Sequence, residues 1–89
     1  MKSYYVYILL CADNSYYVGQ TDDLEKRMIE HSTKLFDGYT SSKLPVTLVY
    51  QTAFSSRSEA LAAEKKIKKW SRDKKCALVE GKFVLRLAF

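Results

Sequence analysis

Cysteine and histidine are scarce in this chain: two and one, respectively, in 89 residues. Cys11 and Cys76 are far apart, neither belongs to a C-x-x-C pair, and a single histidine is available to join them, so disulfide and zinc readings both fail. Long apolar runs are missing as well. Nothing approaches the roughly 20 residues of a membrane span. Met1-Lys2-Ser3-Tyr4 enters a strand-like segment with no apolar signal region before it. The expected setting is the reducing cytoplasm, with no membrane partner. A length of 89 residues is close to the lower limit for one self-supporting core, which argues against a second domain or a buried internal cofactor. No repeat, low-complexity stretch or linker divides the chain. We expect a single domain over residues 1–89, with a core over 4–80 and an apolar tail over 81–89.

Acidic residues are missing where charge concentrates. Between positions 65 and 75 the only acid is Asp73, set against Lys65, Lys66, Lys68, Lys69, Arg72, Lys74 and Lys75. The whole chain carries a formal net charge of +5, and basic surfaces gain affinity for polyanions by releasing phosphate counterions. Taken alone, the run fits a nucleic-acid contact and a merely solvated helix face equally well. What the chain does have is apolar bulk: 47% hydrophobic residues, with seven Tyr, four Phe and one Trp. It should fold.

Residues 4–10 are continuously apolar or aromatic and stop at Ala12-Asp13-Asn14-Ser15, which has turn composition; Tyr16-Tyr17-Val18-Gly19 follows at once. This predicts a β-hairpin whose first strand, lacking clean alternation, is covered on both faces and therefore central. Thr21, Asp22 and Asp23 offer N-cap oxygens, and Asp22 with Glu25 has capping-box spacing, so a helix is expected to run to about Thr33. Leu24, Met28 and Leu35 are its candidates for burial, while Arg27 and His31, four apart, lie side by side. Residues 34–45 have no periodicity and read as a loop. Strand character returns over 46–53. Ser56-Arg57-Ser58-Glu59 is a capping box opening the longest helix, predicted to end near Trp70, with Ala60, Ala63, Ile67 and Trp70 as its apolar stripe. Ser71 can cap a further short helix, ended by Glu80-Gly81. The order ββαβαα in one domain is an α+β fold.

Glu64 falls between Ala63 and Ile67 and so joins the apolar stripe. A carboxylate there is costly to desolvate without a cation, and two candidates stand open: a metal ion, or Lys68 four residues on. Arg27 reads either as a bidentate phosphate ligand or as a snorkelling cover for the core. His31 fits a proton shuttle or a packed polar cap. Tyr4, Tyr5, Tyr7, Tyr16 and Tyr17 form a core-like set with an unusual number of hydroxyls, each needing a partner when buried.

Together these positions resemble the GIY-YIG nuclease superfamily, over residues 5–79. The family's first tripeptide corresponds to Tyr5-Val6-Tyr7 and its second to Tyr17-Val18-Gly19 after a short turn. The pattern continues through Gln20-Thr21-Asp22-Asp23-Leu24-Glu25-Lys26-Arg27, His31 and Tyr39-Thr40 to Glu64 on a late helix. Tyr5 stands where the family name has Gly, and Gln20 stands where some relatives place a Lys, which argues against an active-site Lys. The resemblance is to stand-alone single-domain bacterial members. It implies a three-stranded mixed β-sheet flanked by helices, with the site on one face. It also implies that Glu64 is the sole protein carboxylate on a Mg²⁺ or Mn²⁺ ion, that Arg27 binds the scissile phosphate, that Tyr7 activates or orients the attacking water, and that Tyr17 positions phosphate or water while His31 assists. Tyr7 could act as a base only if a local positive field lowered its pKa from about 10.

The function so implied is metal-dependent hydrolysis of DNA phosphodiester bonds, structure-selective or non-specific, in DNA repair or processing, with RNA as an alternative substrate. Lys65, Lys66, Lys68, Lys69 and Arg72, together with Lys34, Tyr39 and Lys43 of the loop, would hold backbone phosphates. The molecule is expected to act as a monomer or weak homo-oligomer. The competing expectations are a catalytically weak nucleic-acid-binding module and a subunit of a larger nuclease complex.

Overall fold

The computed structural model describes residues 2–32 and 43–82. Along the chain these form β1 (Tyr4–Leu10), β2 (Tyr16–Thr21), α1 (Leu24–Ser32), β3 (Thr47–Phe54), α2 (Arg57–Lys68) and α3 (Arg72–Val79). The expected ββαβαα order is the observed one. The expected burial of Leu35, the loop over 34–42 and the tail beyond 82 lie outside the described residues.

The strands are ordered β2-β1-β3. The run of apolar residues in β1 follows from that central position: Val6, Tyr7, Ile8 and Leu9 are all fully buried, because both faces of the strand are covered. The sheet is antiparallel throughout, not mixed, since β1 pairs antiparallel with β2 and with β3. β2 and β3 do run in the same direction, but β1 separates them. One irregularity falls between Ile8, which faces Tyr50, and Leu9, which faces Leu48, so that Val49 is the extra residue of a bulge. The hairpin turn is closed by Asn14 N–H donating to the Cys11 carbonyl at 2.9 Å. Asn14 has φ of 70°, a left-handed conformation that Asn tolerates better than most residues.

On one face of the sheet Val6, Ile8 and Val18 pack with Ala60, Ala63, Ile67 and Leu78. The two alanines have no bulk to hold the helix away, so α2 lies close on β1 and β2. Its start is capped by the expected pair: Ser56 Oγ accepts from Glu59 N–H at 3.2 Å, and the Ser56 hydroxyl donates to Glu59 Oε1 at 3.0 Å, a side-chain variant of the capping box. Its last helical residue is Lys68, with Lys69 as C-cap, slightly short of Trp70. Ser71 caps α3 by accepting from Lys74 N–H at 3.3 Å. That helix ends in a Schellman motif, in which Gly81 (φ 78°) donates to Leu78 and Lys82 donates to Ala77.

The start of α1 corrects one expectation. Its N-cap is Asp23, which accepts from Lys26 N–H at 3.1 Å, so Asp22 and Glu25 form no capping box. Asp22 turns away to pair with Lys2 at 3.0 Å and Arg57 at 3.4 Å. The inward residue of α1 is also unexpected in character. Leu24 and Met28 are only partly buried, and His31 is the helix's one buried side chain.

Candidate active site

β1 and β2 set Tyr7 opposite Gly19 and Leu9 opposite Tyr17. Paired residues share a face, so both phenols rise from the side of the sheet away from the Val6 and Ile8 core. Gly19 makes their approach possible. A Cβ at that position would stand 2.6 Å from the Tyr7 hydroxyl oxygen and 2.7 Å from its Cζ, closer than a side chain could remain, and would crowd Cε2 of Tyr17 at 3.0 Å.

α1 crosses this face and presents Arg27 and His31 one turn apart. His31 is fully buried, and its Nε2 lies 2.9 Å from the Tyr7 hydroxyl. Its ring stands edge-on to Tyr17 at 5.2 Å and to Tyr7 at 5.8 Å between centroids. Burial, then the Arg27 charge, pushes the His31 pKa below its ordinary value, with Glu30 opposing. Burial, then Tyr17, pushes the Tyr7 phenol well above its own, with Glu64 adding to the rise and Arg27 opposing it. At neutral pH the imidazole is therefore uncharged and the phenol protonated. The hydrogen bond then has one sense: Tyr7 O–H donates and His31 Nε2 accepts. The lowered pKa that would make Tyr7 a base by itself is not what this surrounding produces.

Glu64, on α2, acts on the same cluster through its charge. The Tyr17 phenol is raised by burial and by the Glu64 charge, and is lowered by Arg27; Tyr7 feels the same two charges. The Glu64 side chain is 17% exposed, and Lys68 Nζ stands 3.6 Å from its Oε2. The expected intrahelical pair is thus present but long. Tyr7, Tyr17 and His31, drawn from β1, β2 and α1, come together around one spot, with the charges of Arg27 from α1 and Glu64 from α2 acting on both phenols.

No group of three or more His, Cys, Asp or Glu is assembled among the described residues. A magnesium-like ion suits the donors present, because it keeps most of its waters and commonly takes one or two carboxylates. Glu64 is part-buried and its negative charge is only loosely neutralised, so it fits such an ion.

The other expected contacts are dispersed. Lys65, Lys66, Lys68, Lys69 and Arg72 are exposed along α2 and at the start of α3, and the Arg72 guanidinium lies over the Tyr16 ring at 4.5 Å. Lys43 is ion-paired with Asp13 in the hairpin turn, a contact that holds the Asp13 carboxyl well below its usual range. Lys34 and Tyr39 lie outside the described residues. Sequence reasoning assigns no role to Gly19 or Glu30. A glycine inside a strand, and an acid three residues after a singled-out Arg, are the available signals.

The model of the GIY-YIG catalytic domain matches residues 3–77. The UPF0213 protein SH2523 of Staphylococcus haemolyticus is 45% identical over 90% of this chain and 98% of its own length. A UPF0213 protein of Haloquadratum walsbyi is 44% identical over 86% of each. Among solved structures, the UPF0213 protein BH0048 from Bacillus halodurans is similar with a TM-score of 0.60 and 41% identity, over 90% of this chain and 85% of that one. The protein EF2693 from E. faecalis matches with a TM-score of 0.62 and 34% identity, over 100% and 96%.

Proposed function

This chain belongs to the GIY-YIG catalytic domain family, a nuclease family, and from that premise we propose that it is a single-domain, metal-dependent endonuclease that hydrolyses DNA phosphodiester bonds. The observation that carries the reading is the Tyr7–His31 hydrogen bond of 2.9 Å, set where an arginine of the same helix as His31 and a carboxylate from α2 act on the same phenol.

Phosphodiester hydrolysis needs a deprotonated water, a held phosphate and compensation for charge that builds on the phosphate oxygens. Arg27 holds the scissile phosphate, offering parallel donors to two of its oxygens. Tyr17 orients phosphate or water through its hydroxyl. Tyr7 receives the attacking water as a hydrogen-bond donor; as the water loses its proton to the Tyr7 oxygen, the phenol passes its own proton to His31 Nε2. A neutral, buried imidazole is the right acceptor for that relay. Glu64 would hold a Mg²⁺ or Mn²⁺ ion, which when bound acidifies water and offsets charge on the phosphate and leaving oxygen. The exposed cations from Lys65 to Arg72 hold neighbouring backbone phosphates without reading bases, which favours selection by DNA shape and a place in repair or processing.

The test is incubation with supercoiled, branched and single-stranded DNA in Mg²⁺, Mn²⁺ or EDTA, beside Glu64→Ala and Arg27→Ala. Expected is metal-dependent nicking by the wild type, reduced about 100-fold or more in each variant, with DNA binding retained. The Glu64–Lys68 contact of 3.6 Å is what favours the rival reading, a non-cleaving nucleic-acid-binding module. That reading gains if purified wild type binds DNA in a salt-sensitive way and nicks none of the substrates in either metal.

A further inference from the structure

Arg27 is a long side chain with many rotamers, yet a phosphate ligand has to present its fork in one orientation. Glu30, one turn along α1, meets it: Arg27 Nε stands 3.1 Å from Glu30 Oε1, and the two side chains are equally sheltered at 31% exposed. The contact takes the inner edge of the guanidinium. The terminal nitrogens lie outside that contact, and the Arg27 charge is among those that act on the Tyr7 phenol. Holding the Nε edge of a planar group restricts the directions its terminal nitrogens can take. We propose that Glu30 is a positioning residue for Arg27, fixing the Nε edge of the guanidinium so that its terminal nitrogens are aimed at the phenol cluster and at a phosphate bound there.

The proposal rests on the nuclease reading above and adds a residue to it. Glu30 is not among the charges acting on either phenol; it bears weakly on His31, last among that group's influences, and its direct contact in the site is with Arg27. An i,i+3 ion pair that served only to stabilise the helix would leave cutting untouched when removed. A positioning pair would instead lower the rate of the chemical step while DNA affinity and folding stay as they were.

The experiment compares nicking by wild type, Glu30→Ala and Glu30→Gln, alone and in an Arg27→Lys background that has no Nε to hold. Expected for Glu30→Ala is a fall in kcat of about tenfold or more, with KM for DNA and the thermal midpoint unchanged. Glu30→Gln, which keeps an acceptor oxygen, should recover most of the loss. In the Arg27→Lys background Glu30→Ala should cost nothing further. Wild-type rates in Glu30→Ala, faster cutting, or an additional loss in the Arg27→Lys background would each overturn the proposal. A second readout needs neither DNA nor metal: the Arg27 Nε–H resonance should report a restricted side chain in the wild type and a freely moving one in Glu30→Ala. If no form of the protein cuts DNA, the nuclease reading fails while the resonance still judges the positioning; a freely moving Arg27 in the wild type refutes it.

Discussion

At the scale of single residues, the site depends on one missing Cβ. Tyr7 is fully buried and cannot swing aside, so Gly19→Ala forces either the phenol or the strand to move by several tenths of an ångström. Overpacking of this kind costs about 1–3 kcal/mol. Urea unfolding should show that loss, and nicking should fall with it, because the phenol is displaced from His31; a variant as stable and active as wild type would show that the pocket yields freely. His31 sets a second expectation. Its folded pKa lies below the ordinary 6.5, so on acidification the unfolded chain takes up a proton before the folded one does. Stability conferred by the neutral imidazole is thus present above pH 6.5 and is lost progressively as pH falls from there towards the depressed folded value. Unfolding midpoints measured from pH 7.5 to 5 should decline for the wild type and stay flatter for His31→Asn. Equal slopes would mean that the imidazole is not desolvated as described.

Secondary-structure elements carry the site to its geometry, and α2 shows how locally its own part is specified. Ser56→Ala removes the acceptor for Glu59 N–H and the hydroxyl donor to Glu59 Oε1, which should cost about 1 kcal/mol in denaturant unfolding. Nicking at temperatures well below the transition should persist, because Glu64 stands two turns further along. Loss of activity without loss of stability would instead tie the cap to the chemistry. That cap is legible in sequence because its two partners lie three residues apart. The N-cap of α1 is less so: Thr21, Asp22 and Asp23 all bear suitable oxygens, and the choice is made by Lys2 and Arg57, which draw Asp22 away from the helix. Distance along the chain explains why the sheet is antiparallel where a mixed one is expected. The hairpin sets β2 against β1 locally, whereas the direction of β3 depends on how the chain returns after α1, and no short-range pattern encodes it. Apolarity is the usual sign of burial, which is why sequence alone points to Leu24 and Met28 as the inward residues of α1. The site reverses that sign by burying His31 against two phenols. The five candidate residues are readable as a set through the family pattern, but Gly19 and Glu30 act through space held open and an angle held steady, which residue type alone does not announce.

Across the whole molecule, the formal net charge of +5 has consequences only where it is exposed and close to the site. Lys65 on α2 and Lys69 at its C-cap are both exposed, on the helix that also carries Glu64, and neither is among the charges acting on the two phenols. They are therefore suited to holding flanking phosphates and unsuited to chemistry. Neutralising one lysine that holds a phosphate should reduce the slope of log affinity against log salt by about 0.9 on duplex DNA. For Lys65→Gln combined with Lys69→Gln, binding at moderate salt should weaken and the slope should fall by up to about 2, equally for unrelated sequences, while kcat at saturating DNA is preserved. Fluorescence anisotropy titrations at several salt concentrations, paired with single-turnover cutting, measure both. An unchanged slope would assign these lysines to solvation of the helix face. A large fall in the single-turnover rate would instead move them into the catalytic cluster and require a different division of labour between α2's basic face and Glu64.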